Sequence, residues 1–190
     1  MLATKPFPPL RWDRAKIASL ALLALSMLGC ASMSEKECRH ADWRERGVAD
    51  GHQGARSDQI ADHIQACAKA GIAPDESRWR EGWSQGIARF CRPERAWQLG
   101  LDGSFYNGAC AGQAQGDDFE RNYLNGKRLH ELSGRIDRVL VDQKRVAREL
   151  ADTKTDEDRK KLRRQLSELD NDLMRLRNQQ RMWMLYTPVR

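Results

Sequence analysis

Residues 79–91 read Trp79-Arg80-Glu81-Gly82-Trp83-Ser84-Gln85-Gly86-Ile87-Ala88-Arg89-Phe90-Cys91, and this stretch decides the fold. Asp75 stands where a helix N-cap belongs, and Pro93 bars continuation at the other end. Between them Trp79, Gly82, Gly86 and Phe90 line one side of a helix. A glycine inside a helix costs about 1 kcal/mol relative to alanine. Repeating that cost at helical spacing implies a return, and the expected return is close approach of a second helix. The missing Cβ would make room there for an aromatic ring. The competing reading is that such glycines simply mark loops.

The same theme recurs on either side. Trp43, Gly47, Gly51 and Gly54 precede it; Trp97, Gly100 and Gly103 follow, and then Gly108, Gly112 and Gly116. Loop glycines are the preferred reading for that last group, where Gln and Asn are frequent. Asp50-Gly51, Asp102-Gly103, Asn107-Gly108 and Asn125-Gly126 suggest β-hairpins, but their flanks refuse it. No Val and no Thr lies between Ala49 and Arg138, so the β-branched alternation of strands is missing. Helix punctuation fits better. Ser57 can cap a helix with the face Ile60, Ile64 and Cys67, which Gly71 and Pro74 end. Asp50 reads as a turn or cap. A later helix should start near Asp117, with Phe119, Tyr123 and Gly126 on one face.

From Leu129 the pattern becomes heptad-like. Leu132, Ile136, Val139, Gln143, Val146 and Leu150 form one series. Leu162, Leu166, Leu169, Leu173, Leu176, Gln180 and Trp183 form a second that does not share its register. Between them Thr155 can cap a helix whose first turn is acidic, which suits the helix dipole. Two antiparallel helices joined near residues 152–156 are therefore expected, with one continuous dimerising helix as the rival. The arm's basic excess reads first as a solvated face, and contact with anionic headgroups is the alternative.

The chain opens with a different signal. Lys5, Arg11, Arg14 and Lys16 precede an uncharged run from Ile17 to Leu28, and Gly29-Cys30 closes it. That run is short of the roughly 20 residues a spanning helix needs. The order resembles a bacterial lipoprotein signal, cut before a cysteine that carries acyl chains. Acylated Cys30 would anchor the protein in membrane lipid. Cleavage after Ala31 by an ordinary signal peptidase is the alternative. By the sorting rules for such proteins, Ser32 implies the outer membrane, on its periplasmic side. Residues 1–29 hold four basic and one acidic side chain, so their removal lowers the net charge from +6 to +3. The basic balance of the whole chain is thus poor support for nucleic-acid binding, and none is expected.

The remaining cysteines, Cys38, Cys67, Cys91 and Cys110, are even in number, which in an exported chain argues for disulfides. Three connectivities are possible; Cys38–Cys67 with Cys91–Cys110 gives the shortest loops and is preferred. Each bridge could contribute about 3 kcal/mol by restricting the unfolded chain. The same residues offer an alternative: Cys38, His40, His63 and Cys67 could form a tetrahedral zinc site. Disulfides are preferred, and no cofactor is expected. There is no Gly-x-Ser-x-Gly elbow and no phosphate loop. Few apolar residues remain for a dry catalytic pocket, so an enzyme is not expected.

Taken together, Cys38, Asp42-Trp43, Gly47, Asp50-Gly51, Gly54, His63, Cys67, Gly71, Trp79-x-x-Gly82-x-x-x-Gly86, Phe90-Cys91, Gly100, Tyr106, Cys110, Phe119 and Tyr123-x-x-Gly126 form a pattern. It resembles the bacterial lipoprotein family catalogued as domain of unknown function 2799, over roughly residues 38–130. Trp79 and Phe90 stand where that family's pattern favours Tyr. The resemblance implies a lipoprotein and adds no mechanism. The expectation is an all-α protein with signal peptide 1–29, a lipid-anchored linker 30–37, a disulfide-stapled head of short helices 38–134, and a coiled-coil-like helical hairpin arm 135–190. Trp43, Gly47, Gly51, Trp79, Gly82 and Gly86 are its expected packing residues. The expected role is a non-catalytic envelope lipoprotein that is structural or binds an envelope protein partner. The metal-binding protein is the alternative.

Overall fold

The computed structural model describes residues 33–186. Among them are seven helices and no strand: α1 (Glu35–His40), α2 (Trp43–His52), α3 (Gln59–Ala68), α4 (Glu76–Phe90), α5 (Pro93–Leu101), α6 (Gly116–Asp152) and α7 (Asp156–Met184). The all-helical reading holds. The signal peptide and Cys30 lie outside the described residues. Of the expected linker, residues 35–37 are helical, because Ser34 and Glu37 form a capping box at the start of α1.

The chain divides into two units. The described part of the smaller one comprises residues 33–40 and 61–73. Its staple is Cys38–Cys67, with both cysteines buried. Gly71 ends this segment with φ +68°, and the Ile72 N–H returns to the Cys67 carbonyl. The buried face of α3 is Ile60, His63 and Cys67. Ile64, expected on that face, is 37 % exposed, and the fully buried His63 takes its place.

The described part of the larger unit comprises residues 41–60 and 74–186. It contains two helix crossings built alike, α2 on α4 and α5 on the start of α6. In the first, Gly47 and Gly51 meet Gly82 and Gly86. A Cβ on Gly51 would lie 2.5 Å from the Trp83 carbonyl oxygen and 2.6 Å from the Ile87 nitrogen. In the second, Gly100 meets Gly126, and a Cβ on Gly100 would lie 2.6 Å from the Lys127 nitrogen. At each crossing the α-hydrogen of glycine takes the place of Cβ and faces a carbonyl of the opposite helix. Such Cα–H···O contacts contribute about 0.5–1 kcal/mol each. The close approach is therefore as expected, but backbone rather than an aromatic ring fills the space. Rings do meet glycine at two turns, where Phe90 covers Gly54 and His130 covers Gly103, both glycines having positive φ.

The correspondence runs further. Trp83 Nε1 donates to the Ala55 carbonyl at 2.8 Å, and Tyr123 Oη donates to the Ser104 carbonyl at 3.0 Å. Trp83 lies three residues before Gly86, as Tyr123 does before Gly126; Ala55 lies four after Gly51, as Ser104 does after Gly100. Trp79 and Phe119, each seven before the second-helix glycine, are both fully buried. In each pair one cysteine precedes the first helix and its partner lies in the connection between the helices. The two glycine crossings of the larger unit are thus an internal repeat of one helix pair.

The expected hairpin is present, with α6 and α7 antiparallel and residues 153–155 between them. Thr155 Oγ1 accepts from the Asp158 N–H at the start of α7. Leu129, Leu132, Ile136, Leu173 and Leu176 form its core together with Trp97. Gln143 and Gln180, the amides of the two series, face across to Asp170 and Ser133 at 2.6 and 3.0 Å. The boundary expected at residue 134 falls inside α6, which runs unbroken from head to arm. Gly134 faces open space, with only Arg138 Nη1 within 4 Å at 3.7 Å, so nothing there bends the helix.

Candidate functional site

Three places in the larger unit combine chemistry with shape. The first is a buried carboxylate. Asp50 was expected at a turn or cap, yet it lies within α2 and is 7 % exposed. Trp79 Nε1 donates to its Oδ2 at 2.8 Å, and the Arg46 guanidinium lies 3.2 Å from Oδ1. A charge held there needs such partners, because an unpaired buried carboxylate is costly. The second helix pair puts Leu99 and Phe119 at the corresponding positions, so this polar pair belongs to the first crossing alone.

The second is an aromatic nucleus beside the Cys91–Cys110 bridge. The Tyr106 ring lies 4.9 Å from Phe119 and 5.4 Å from Tyr123, and Phe90 stacks on Phe119 at 5.5 Å. Tyr106 Oη accepts from the Cys110 N–H at 2.9 Å. Desolvation in this nucleus pushes the Tyr106 hydroxyl above its ordinary value. The nucleus ties the bridge to the helices, and its phenols serve packing.

The third is a cleft of about 540 Å³ at the start of α5. Its walls are Ala88, Cys91, Arg92, Pro93, Glu94, Gln113, Ala114 and Gln115. Arg92 and Glu94 sit 3.7 Å apart on its rim. None of the lining side chains is a hydroxyl, an imidazole or a free thiol, since Cys91 is in a disulfide. The cleft can bind a polar group but holds no nucleophile with a neighbouring base. Sequence reasoning missed it, because its two glutamines come from an irregular segment with no periodicity to mark them.

Gly47, Gly51, Gly82 and Gly86 come together at one crossing with Trp79 buried beside them; Trp43 is only half-buried, at the first turn of α2. Ahead of it, Asp42 caps α2, and the N–H groups of Glu45 and Arg44 hold its carboxyl below the usual range. Both disulfides have the expected pairing, with Cα–Cα distances of 5.6 and 5.5 Å. The zinc alternative fails at this point: Cys38 and Cys67 are bonded to each other and cannot supply thiolates. Among the described residues no group of three or more His, Cys, Asp or Glu side chains could hold a metal ion. Gly108 and Gly112 have positive φ and open space around them, so they are loop glycines.

Residues 42–128 match the family model described as a protein of unknown function, DUF2799. The match covers both glycine crossings and ends inside α6, so α7 lies beyond it. No curated protein and no solved structure matches the chain.

Proposed function

We propose that this protein is a non-catalytic lipoprotein of the cell envelope, anchored through acylated Cys30 to the outer membrane and facing the periplasm. Its repeat-built head serves as a structural or partner-binding module for another envelope protein. The observation that carries the reading is the pairing of all four cysteines after Cys30 into two buried disulfides. Such bridges persist in oxidising compartments beyond the cytoplasm. The charged, apolar and Gly29-Cys30 order of the leader supplies the route there. No helix among the described residues is long and apolar enough to cross a membrane. The cleft walls, amide-lined and without a nucleophile, favour binding over catalysis.

Metabolic labelling with palmitate tests the anchor. The intact protein should take up label that survives reduction, and Cys30→Ser should take up none. Equal labelling of the two, or no labelling of either, would overturn the reading.

A further inference from the structure

We propose that the end of α7, residues 181–186, is a second membrane contact that seats its apolar side chains at the headgroup level of an anionic phospholipid bilayer. It rests on the envelope reading only in needing a bilayer within reach.

Met182, Met184, Leu185 and Tyr186 are 61, 52, 76 and 58 % exposed. Elsewhere in the arm the exposed large apolar residues, Val141 and Met174, stand singly, which is ordinary for a surface. Four in five consecutive positions are not. Their backbone is helical or turn, so they are presented together rather than by an extended tail.

What they meet can be argued from their chemistry. Between Leu173 and Tyr186 the charged residues are Arg175, which pairs back to Asp172 at 2.7 Å, Arg177 and Arg181, with no Asp or Glu. An acid-free stretch with arginines complements anionic headgroups, and arginine can reach them while its stem stays in the apolar layer. Trp183 and Tyr186, with ring centroids 5.2 Å apart, each combine an apolar body with a polar tip, as interfacial side chains do. Trp183 is fixed from the other side by the Arg128 guanidinium, 4.5 Å from its ring centroid, so the helix end is held to α6. A bilayer needs no shape match to an exposed apolar helix end. The apolar run of the leader is lost from the mature chain if Cys30 is processed.

The test uses the full, membrane-extracted chain reconstituted into vesicles. A fluorescent amino acid replaces Met184 in one variant and Lys154 in another. Lys154 lies in the turn just before α7, roughly 45 Å away along the helix. Vesicles are phosphatidylglycerol with phosphatidylethanolamine, or phosphatidylcholine alone, each with and without brominated acyl chains. Brominated anionic lipid should quench the probe at 184 at least about twofold and leave the probe at 154 unchanged. A triple variant, Met182→Ser with Leu185→Ser and Tyr186→Ser, should lose that quenching at unchanged helix content. Equal quenching at both positions, none at either, or emission at 184 that follows protein concentration and not lipid would overturn the proposal; the last would point to a second copy. Quenching at 184 in a chain that mass analysis finds without acyl groups would keep this contact and remove the anchor. Acylation without quenching would do the reverse.

Discussion

Replacing Gly82 by alanine should destabilise the protein, and replacing Gly134 by alanine should stabilise it. Both glycines are interior to helices, α4 and α6, with no positive φ to oppose a side chain. Helix propensity therefore favours alanine at both, by about 1 kcal/mol. Space separates them. At Gly134 the nearest atom to a new Cβ is Arg138 Nη1 at 3.7 Å, an ordinary contact. At Gly82 the new Cβ would lie 2.9 Å from the Arg44 carbonyl carbon and from the Val48 nitrogen, with the Arg44 oxygen nearer still. Ordinary contact begins near 3.4 Å, so the two backbones must part by half an ångström or more. Backbone cannot step aside as a flexible side chain does. The neighbouring contacts of Gly47, Gly51 and Gly86 loosen with it. Overpacking of this kind costs about 1–3 kcal/mol, and a backbone-to-backbone clash belongs at the upper end. Net destabilisation of about 2 kcal/mol is expected at Gly82, against a gain of up to about 1 kcal/mol at Gly134. Denaturant melts of the oxidised protein read both values from midpoint shifts at constant slope. A Gly82→Ala protein as stable as the parent would refute the crossing as described.

Three further outcomes follow. Asp50→Leu and Trp79→Phe should each cost about 1–3 kcal/mol, because each leaves a buried partner unsatisfied. Combined they should cost less than their sum, since Leu99 and Phe119 already occupy the matching places in the second pair; additive melts would contradict this. The Tyr106 hydroxyl is held above its ordinary value by desolvation, so its contribution is present below about pH 10 and lost as pH rises through the folded value. Stability measured from pH 9 to 11 should fall less steeply in Tyr106→Phe, and parallel curves would rule out this role. Spin labels at Arg138 and Arg175, in protein diluted with unlabelled chains, should lie about 20 Å apart or less; one continuous helix would set them at roughly 55 Å.

Much of this fold was legible because its signals are local. Asp75, Pro93, Gly71 and Thr155 mark helix ends by backbone chemistry that needs no tertiary context, and the structure uses all four. The break in leucine register around residues 152–158 foretold the turn. Other features depend on what lies across a gap. Glycine spacing showed that something approaches α4 closely; it could not distinguish a carbonyl from a ring. Asp50 beside Gly51 looks like a turn because its partner, the Trp79 indole, is 29 residues away. Ile64 and His63 exchange roles because a one-residue rotation of α3 separates their faces. The repeat was hidden because the connection runs over residues 53–75 in one pair and 102–115 in the other, and polar Asp50 answers to apolar Leu99. Of the candidate site, the bridges were readable from cysteine count, whereas the glutamine-lined cleft carried no periodic signal.

The protein is proposed to be exported and acylated, with its four later cysteines closed in two bridges. One measurement addresses it whole: intact mass of the membrane-extracted protein, alkylated without reduction. The expected result is a chain beginning at Cys30, carrying the mass of its acyl groups, with no alkyl group on Cys38, Cys67, Cys91 or Cys110. A chain beginning at Ser32 without lipid mass, or one alkylated at those cysteines, would contradict it.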